Sequence, residues 1–389
     1  LEKDTRADAF LAADNPVLAY KAIIKEKFGL SDPVVVAVVD RGSAGIYRPE
    51  TLQLLIALTE QIGSLPNIDA SKMSSLATEN NIQSRDDEIT IEPFLQNISQ
   101  DAARMRQLRE AVANFPLIEG SLVAKDGSMA VVVAEMIDEA AAESTYNSIR
   151  QLLANTPLDE GVELHVAGEG AIAGYLGEYI DSDAKRLNPL AGIIITLTVI
   201  FAFYRVTPAL ACNVVIVAAL GITLGVMAAT GVAFYVITNA LPVILIGISV
   251  ADSIHVYSEY YTLQSRDPER PLPQLVLATM ENMVRPVTIT TVTTLCGFLG
   301  IYAAAFMPPF KYFGLFAAVG VAVAWLYSLV FLPAAMSLTR PRASKAFQRQ
   351  VASAGSDSFG RAMQALGRFS MAFARPLLAG AAIVAVLGV

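Results

Sequence analysis

The sequence predicts an α-helical membrane bundle joined to a water-soluble α/β domain, and two observations carry that prediction. Hydrophobic residues make up 54% of the 389-residue chain and charged residues only 16%, with a mean hydropathy of +0.49, a balance foreign to ordinary soluble domains. The charges are also segregated: residues 1–186 hold 30 Asp and Glu against 16 Lys and Arg, whereas residues 187–389 hold 6 against 12. An acidic, solvated first half therefore precedes an apolar second half with basic loops. The acidic balance of the solvated part argues against nucleic acid as a partner.

In the first half, Pro33–Val39 is a Val-rich run of strand character, and Leu52, Leu55, Ile56, Leu58 and Ile62 recur at helical spacing through Arg48–Leu65. A second strand is expected near Ala70–Thr78. Residues 79–116 are polar and read as an insertion with a helical patch at Ala102–Val112. Ser121–Ala124 and Met129–Met136 flank Lys125-Asp126-Gly127-Ser128, and Asp-Gly between apolar runs is a hairpin signal because Gly accepts the positive φ the turn requires. A helix over Tyr146–Leu153 and a strand over Val162–Ala167 complete the order βαββαβ, the ferredoxin-like split arrangement.

The second half alternates long apolar runs with short connections. Spans are expected near Leu187–Tyr204, Ala209–Ala229, Asn239–Tyr260, Pro286–Phe306 and Phe313–Ala335, with a sixth opening at Pro376. Each of the five is close to the roughly 20 residues that cross a hydrocarbon core of about 30 Å, and none alternates as a barrel strand would. Basic residues set the orientation. Arg205, then Arg266, Arg270 and Arg285, then Arg340, Arg342, Lys345, Arg349, Arg361, Arg368 and Arg375 fall on one side, against Lys311 alone on the other. That side is read as cytoplasmic, which places residues 1–186 across the membrane. Arg340–Arg375 carries Phe359, Met363, Leu366 and Phe369 at helical spacing and fits a linker helix on the cytoplasmic leaflet. Gly221 and Gly225 form a GxxxG pair that permits close helix approach. Cys212 and Cys296 lie in apolar runs with no metal-ligand spacing and read as small buried hydrophobes. Residue 1 is Leu, no targeting signal is visible, and the last apolar run, Pro376–Val389, is short of a full span, so the chain reads as a segment of something longer.

Chemistry concentrates in Asn239–Tyr260, where Ser249, Asp252, His255 and Glu259 keep to one helical face. At 1.5 Å per residue Asp252 lies about 20 Å into the span, where an Asp costs roughly 2.5–3.5 kcal/mol. Such a group is tolerated where it faces a bundle interior and moves protons or ions. Alternatively Asp252 only hydrogen-bonds a neighbouring helix, His255 only caps or packs, and Glu259 is a solvated interface residue. No GxxxxGK[ST] run offers an ATP site, and two His without a nucleophile elbow leave little for a hydrolase, so neither cofactor nor metal is expected.

Several stretches resemble one known superfamily, the resistance-nodulation-division (RND) transporters, in the mycobacterial-membrane-protein-large-like branch related to Patched and the sterol-sensing proteins. They are Gly247-Ile-Ser-Val-Ala-Asp252-Ser-Ile-His255, Arg285-Pro286 with the Thr-rich run to Gly297-Phe298, Phe313-Gly314 with Leu332-Pro333, and Val123–Gly127 with Val166–Gly168 leading to Asp183. The resemblance implies an RND half-repeat, with residues 1–186 as a periplasmic porter domain, 187–339 as helices two to six, 340–375 as the linker and 376–389 as the start of helix seven. It also implies a first helix before residue 1. Relatives commonly place Asp at the first position of the key pair; here the pair is Ala251-Asp252, which rotates the acid by about 100°.

By resemblance the chain is a proton-driven exporter in a bacterial inner membrane, moving a hydrophobic or amphiphilic molecule such as a lipid, and not an enzyme. A lipid-binding sensor or scaffold on the same fold is the rival reading. The proton relay implied is Asp252, His255 and Ser249, with Thr290, Thr291 and Thr294 as hydroxyl partners on the next helix, where Thr288 also keeps the spacing. An apolar cleft for cargo is expected near Tyr175 and Tyr179, bordered by the stiff loop from Phe306 to Phe310. Membrane lipids, protons, a second copy of the chain and periplasmic accessory proteins are the partners implied.

Overall fold

A computed structural model of the chain describes residues 3–12, 14–29, 32–85, 88–95, 98, 101–352 and 358–387. They form two compact units, one of Leu1–Leu187, Met227–Leu241 and Gly300–Leu315, the other of Asn188–Val226, Pro242–Leu299 and Phe316–Val389.

The first unit opens with β1 (Lys3–Asp4), α1 (Pro16–Phe28), β2 (Pro33–Asp40) and α2 (Pro49–Gly63). It continues with β3 (Asn80–Arg85), β4 (Glu88–Pro93), α3 (Ala102–Ala113), β5 (Met129–Glu135), α4 (Ala142–Asn155) and β6 (Val162–Ala167). Its central sheet runs β5-β2-β6, antiparallel throughout, with Val36 opposite both Val132 and Val166. Alternation along β2 buries Val34, Val36 and Val38 in one core with Leu52, Leu55, Leu58 and Ile62 of α2. Each such side chain contributes about 1.5–3 kcal/mol on burial.

Two expected strands are not strands. Over Ala70–Thr78 the chain makes a 3-10 turn at Ala70–Lys72, and only Ser74 bridges β5, exchanging both bonds with Val133 at 2.9 and 2.8 Å. Side chains take the backbone groups a ladder would use: Asp69 accepts the Ser71 N–H at 3.0 Å, and the Thr78 hydroxyl accepts the Ser75 N–H at 2.9 Å. Likewise Ser121–Ala124 contributes an isolated bridge at Val123, because the Ile118 carbonyl gathers the N–H groups of Ser121, Leu122 and Val123. The turn itself forms, with Gly127 at φ 74° and its N–H on the Ala124 carbonyl at 2.8 Å. A Cβ there would meet the Tyr47 ring. Neither the β3–β4 hairpin nor α1 is anticipated by the sequence; α1 starts at a capping Asn15 followed by Pro16 and stops at Gly29, with no buried stripe to give it a period.

Among the described residues, five helices are long and apolar enough to cross a membrane. They are α5 (Glu169–Phe203), α6 (Val206–Ala229), α7 (Leu241–Arg266), α8 (Leu272–Ala304) and α9 (Pro308–Thr339), with β7 (Phe234–Tyr235), paired to β1, between α6 and α7. They outrun the apolar windows because backbone hydrogen bonding continues into polar flanks. Pro286, expected to open a span, lies inside α8. Gly221 and Gly225 have open space where a Cβ would go; the close approach in the second unit is at Gly320 of α9, where a Cβ would abut Leu245 and Thr223. Cys212 is buried as expected, but Cys296 is exposed.

Beyond α9 the expected single linker helix is broken into α10 (Lys345–Ala352) and α11 (Ser358–Ala372), followed by α12 (Ala374–Leu387). Residues 353–357 and the side chain of Phe359 lie outside what is described. The segment leading into α10 is fastened to α7: Tyr260 Oη and Gln264 Nε2 donate to the Pro341 carbonyl at 3.1 and 3.2 Å, and Gln264 Oε1 accepts the Ala343 N–H at 2.7 Å. Phe347 then packs on the rings of Phe203 and Tyr261, at 5.8 and 5.7 Å between centroids.

Candidate functional site: a buried carboxylate between two apolar helices

Two side-chain bonds fix the register of α7 against α8. Thr291 Oγ1 lies 3.4 Å from Asp252 Oδ2, and Asn282 Nδ2 donates to Glu259 Oε1 at 2.7 Å. Moving forward along α7 moves backward along α8, so the helices are antiparallel neighbours. Asp252 is only 7% exposed. Its contact with Thr291 is long, and the Thr291 hydroxyl is better placed for the Val287 carbonyl of its own helix at 2.8 Å. Among the described residues no ion pair holds this carboxylate. It is therefore a buried acid with one weak donor, in a setting where an ionised group without good partners is costly.

The other relay candidates divide. Ser249 is fully buried one turn before Asp252, and its hydroxyl has no hydrogen-bond partner among the described residues. His255, one turn beyond Asp252 on α7, is exposed. Thr290 is exposed and donates to Val287 at 2.9 Å, and Thr294 donates to Thr290 at 2.9 Å, so both satisfy themselves within α8. Of the three threonines, only Thr291 meets Asp252. Thr288 has a different role: it accepts the Trp325 indole N–H of α9 at 3.1 Å. Sequence reasoning passed over Trp325, although the chain's single Trp in an apolar run is itself a signal of an N–H in need of an acceptor. The hydroxyls of Tyr257, Tyr261 and Ser328 join Ser249 as buried groups without partners, each leaving about 1–3 kcal/mol uncompensated.

In the first unit, Tyr175 and Tyr179 of α5 face each other with centroids 6.0 Å apart, and Tyr175 meets Tyr146 edge-on. Phe306, 93% exposed, sits before α9, and Phe310 is exposed in its first turn. No ring contact among the described residues joins these phenylalanines to the two tyrosines. A cavity of about 900 Å³ opens between the β3–β4 hairpin and α3, with Phe94, Leu95, Met105, Leu108 and Phe115 in its lining. Charge in this unit is tightly paired. Burial opposes ionisation of Asp32, yet the Lys25 ammonium at 2.6 Å holds its carboxyl below the ordinary range. Lys25 is raised in turn: burial lowers it, and the bonds to Asp32 and Glu139 outweigh that. Among the described residues no three His, Cys, Asp or Glu side chains converge as a metal site.

The family model that fits this arrangement is that of the MMPL family, which matches residues 49–369, from α2 to α11 and through the Asp252 helix. The chain belongs to the MMPL family. The resemblance in the sequence is thereby confirmed, and with it a multi-pass membrane protein whose family supports an RND-type transporter or a lipid-related function. No curated protein matches the chain.

Proposed function

We propose that this MMPL-family chain works as a proton-driven exporter of the RND type, in a bacterial inner membrane, and that its cargo is a hydrophobic or amphiphilic molecule such as a lipid. The observation that carries the reading is Asp252, a buried acid in an apolar helix whose cross-helix hydrogen bond among the described residues is the long one to Thr291. Protonation removes a charge that costs roughly 2.5–3.5 kcal/mol at mid-membrane, while a proton crossing 100 mV releases about 2.3 kcal/mol. The two are matched in size. At about 1.4 kcal/mol per tenfold, one protonation event shifts a two-state equilibrium about a hundredfold. Because Asp252 and Thr291 belong to different helices, the charge change biases α7 against α8.

The first unit is read as the periplasmic porter domain. Its order β5-β2-β6, with isolated bridges from Ile68 and Ser74 along the outer edge of β5, supports a ferredoxin-like reading in which the second strand is reduced to those bridges. Cargo would enter along the aromatic groups Tyr175, Tyr179, Phe306 and Phe310, three of them roughly half exposed and Phe306 almost wholly so. A lipid sensor on this fold needs no titrating acid, which separates the two readings. Reconstituted in proteoliposomes with an imposed proton gradient, the full chain should move a fluorescent phospholipid, and Asp252→Asn should stop it. Gradient-driven movement at the normal rate in that variant would refute the reading.

A further inference from the structure

α1 is amphipathic in the reverse of the usual sense. The side it turns to the rest of its unit is charged: Lys21 binds Asp8 at 3.0 Å and Glu169 at 3.2 Å, and Lys25 binds Asp32 and Glu139, each at 2.6 Å. The side turned away is apolar. Tyr20 and Ile23 are 66% and 58% exposed, Ala19 beside them is exposed too, and no residue of the helix is buried. Ile23 is two residues from each lysine, which sets it about 200° round the helix from both. A helix on a soluble domain ordinarily buries its apolar stripe, so a stripe held outward by ion pairs calls for a cover. The bilayer does not supply it. Glu169, which holds Lys21, precedes Leu187 by eighteen residues in α5, and α1 is thereby anchored about 27 Å along that helix from the start of its uncharged, apolar stretch.

The outward face is complementary to itself. Pro16, Tyr20, Ile23 and Lys27 stand 4, 3 and 4 residues apart, the spacing of a helix-packing seam, and that spacing reads the same in both directions. Asp14 and Lys27 are exposed at opposite ends of the seam, and among the described residues no ion pair joins either. Reversing the seam about its midpoint sets Tyr20 against the partner's Ile23 and brings Lys27 to the start of the other helix, beside the partner's Asp14. A two-fold axis makes each of these contacts twice. It also keeps the two copies of Lys27 at opposite ends, and Glu26 stands at the rim, about 100° round from Lys27. We infer that α1 is the docking surface for a second copy of this chain, with two α1 helices packed antiparallel about an axis between Tyr20 and Ile23. The lysine ion pairs serve to present that seam. The inference does not depend on proton coupling and stands if Asp252 has no transport role.

The test uses the full chain with Cys212→Ala and Cys296→Ala, co-expressed as two differently tagged populations, one carrying Tyr20→Cys and the other Ile23→Cys. Oxidation of the membranes should join the two tags through a mixed disulfide. Lys27→Cys in both populations should give none, because an antiparallel pair holds those positions about 16 Å apart along the axis. Asp14→Lys should lower the yield of the mixed disulfide about tenfold, two attractions becoming two repulsions. Lys27→Asp should do the same, and both changes in one chain should restore it, which a purely structural role of either residue would not. Tyr20→Glu with Ile23→Glu, both exposed in the single copy, should leave the thermal transition unmoved while photobleaching of a fluorescent fusion in lipid falls from two steps to one. Three results overturn the inference: no mixed disulfide, a disulfide at 27 as abundant as the mixed one, or a double reversal that fails to restore the yield.

Discussion

Two buried aspartates, one in each unit, are held in opposite ways. Asp40 at the end of β2 is 1% exposed, and each of its oxygens is occupied: Oδ1 accepts the Gly42 N–H at 2.8 Å, and Oδ2 accepts the Thr51 hydroxyl at 2.7 Å and Arg48 at 3.4 Å. Asp252 on α7 has Thr291 at 3.4 Å. A fully bonded buried carboxylate is a fastener that ties a strand end to the first turn of the helix after it, here α2. An under-bonded one has little to lose on protonation, and the helices around it have little that holds its charge in place. The contrast separates a residue bonded into the fold from one to which the proposed function assigns the proton.

The sharpest way to break the contrast is to neutralise each acid in turn. Asp252→Asn should reduce gradient-driven transport about a hundredfold or more, within the range for loss of a proton-transferring group, with the chain still inserted and its thermal transition unmoved. Fluorescence-detected size exclusion on heated samples would check the second half. Asp40→Ala should do the reverse. It leaves Arg48 and Thr51 facing a buried gap, so the first unit should lose about 3 kcal/mol in a urea titration, and transport should fall only as folded protein falls.

A smaller effect sharpens the view of the first unit as charge-locked. The carboxyl of Asp32 is depressed in the fold, so its stabilisation is complete above the unfolded value near 3.9 and is lost as pH falls through the lower folded one. Lys25 is raised, so its share is complete below about 10.4 and is lost as pH rises through the folded value. Hydrogen exchange of the α1 amides should therefore be slowest between roughly pH 5 and 9 after correction for intrinsic rates. Asp32→Asn should flatten the acid limb at a cost of about 1 kcal/mol, the pair being partly solvated. The smallest effect belongs to Thr291→Val, which keeps shape and removes the long donor: transport should fall less than tenfold without loss of stability. A drop as large as that of Asp252→Asn would place the working group on α8 instead.

Much of this contrast was legible in the residues. The cost of an acid in a continuous apolar run singles out Asp252 before any fold is known, and Asp-Gly between Val-rich runs marks the Gly127 turn. What the sequence hid depends on partners distant in the chain. Thr288, Thr290, Thr291 and Thr294 are equivalent by spacing; only the crossing of α7 and α8 selects Thr291 and leaves Thr288 to Trp325. The strands expected at Ala70–Thr78 and Ser121–Ala124 fail because local side-chain and turn bonds outcompete a ladder, a contest that apolar patterning does not register. The GxxxG pair misled for a related reason: small residues permit close approach but do not say which helix face is covered, and Gly320 is the one met by Leu245.

The central claim is that Asp252 itself gains and loses a proton in the membrane. The most direct measurement is an infrared difference titration of the full chain in lipid, comparing wild type with Asp252→Asn for the carbonyl band of a protonated carboxylic acid. The account predicts one such band that disappears as pH is raised across the range of the imposed gradient and is missing from the variant. A wild-type spectrum identical to that of Asp252→Asn over that range would mean that Asp252 never changes charge there, and would contradict it.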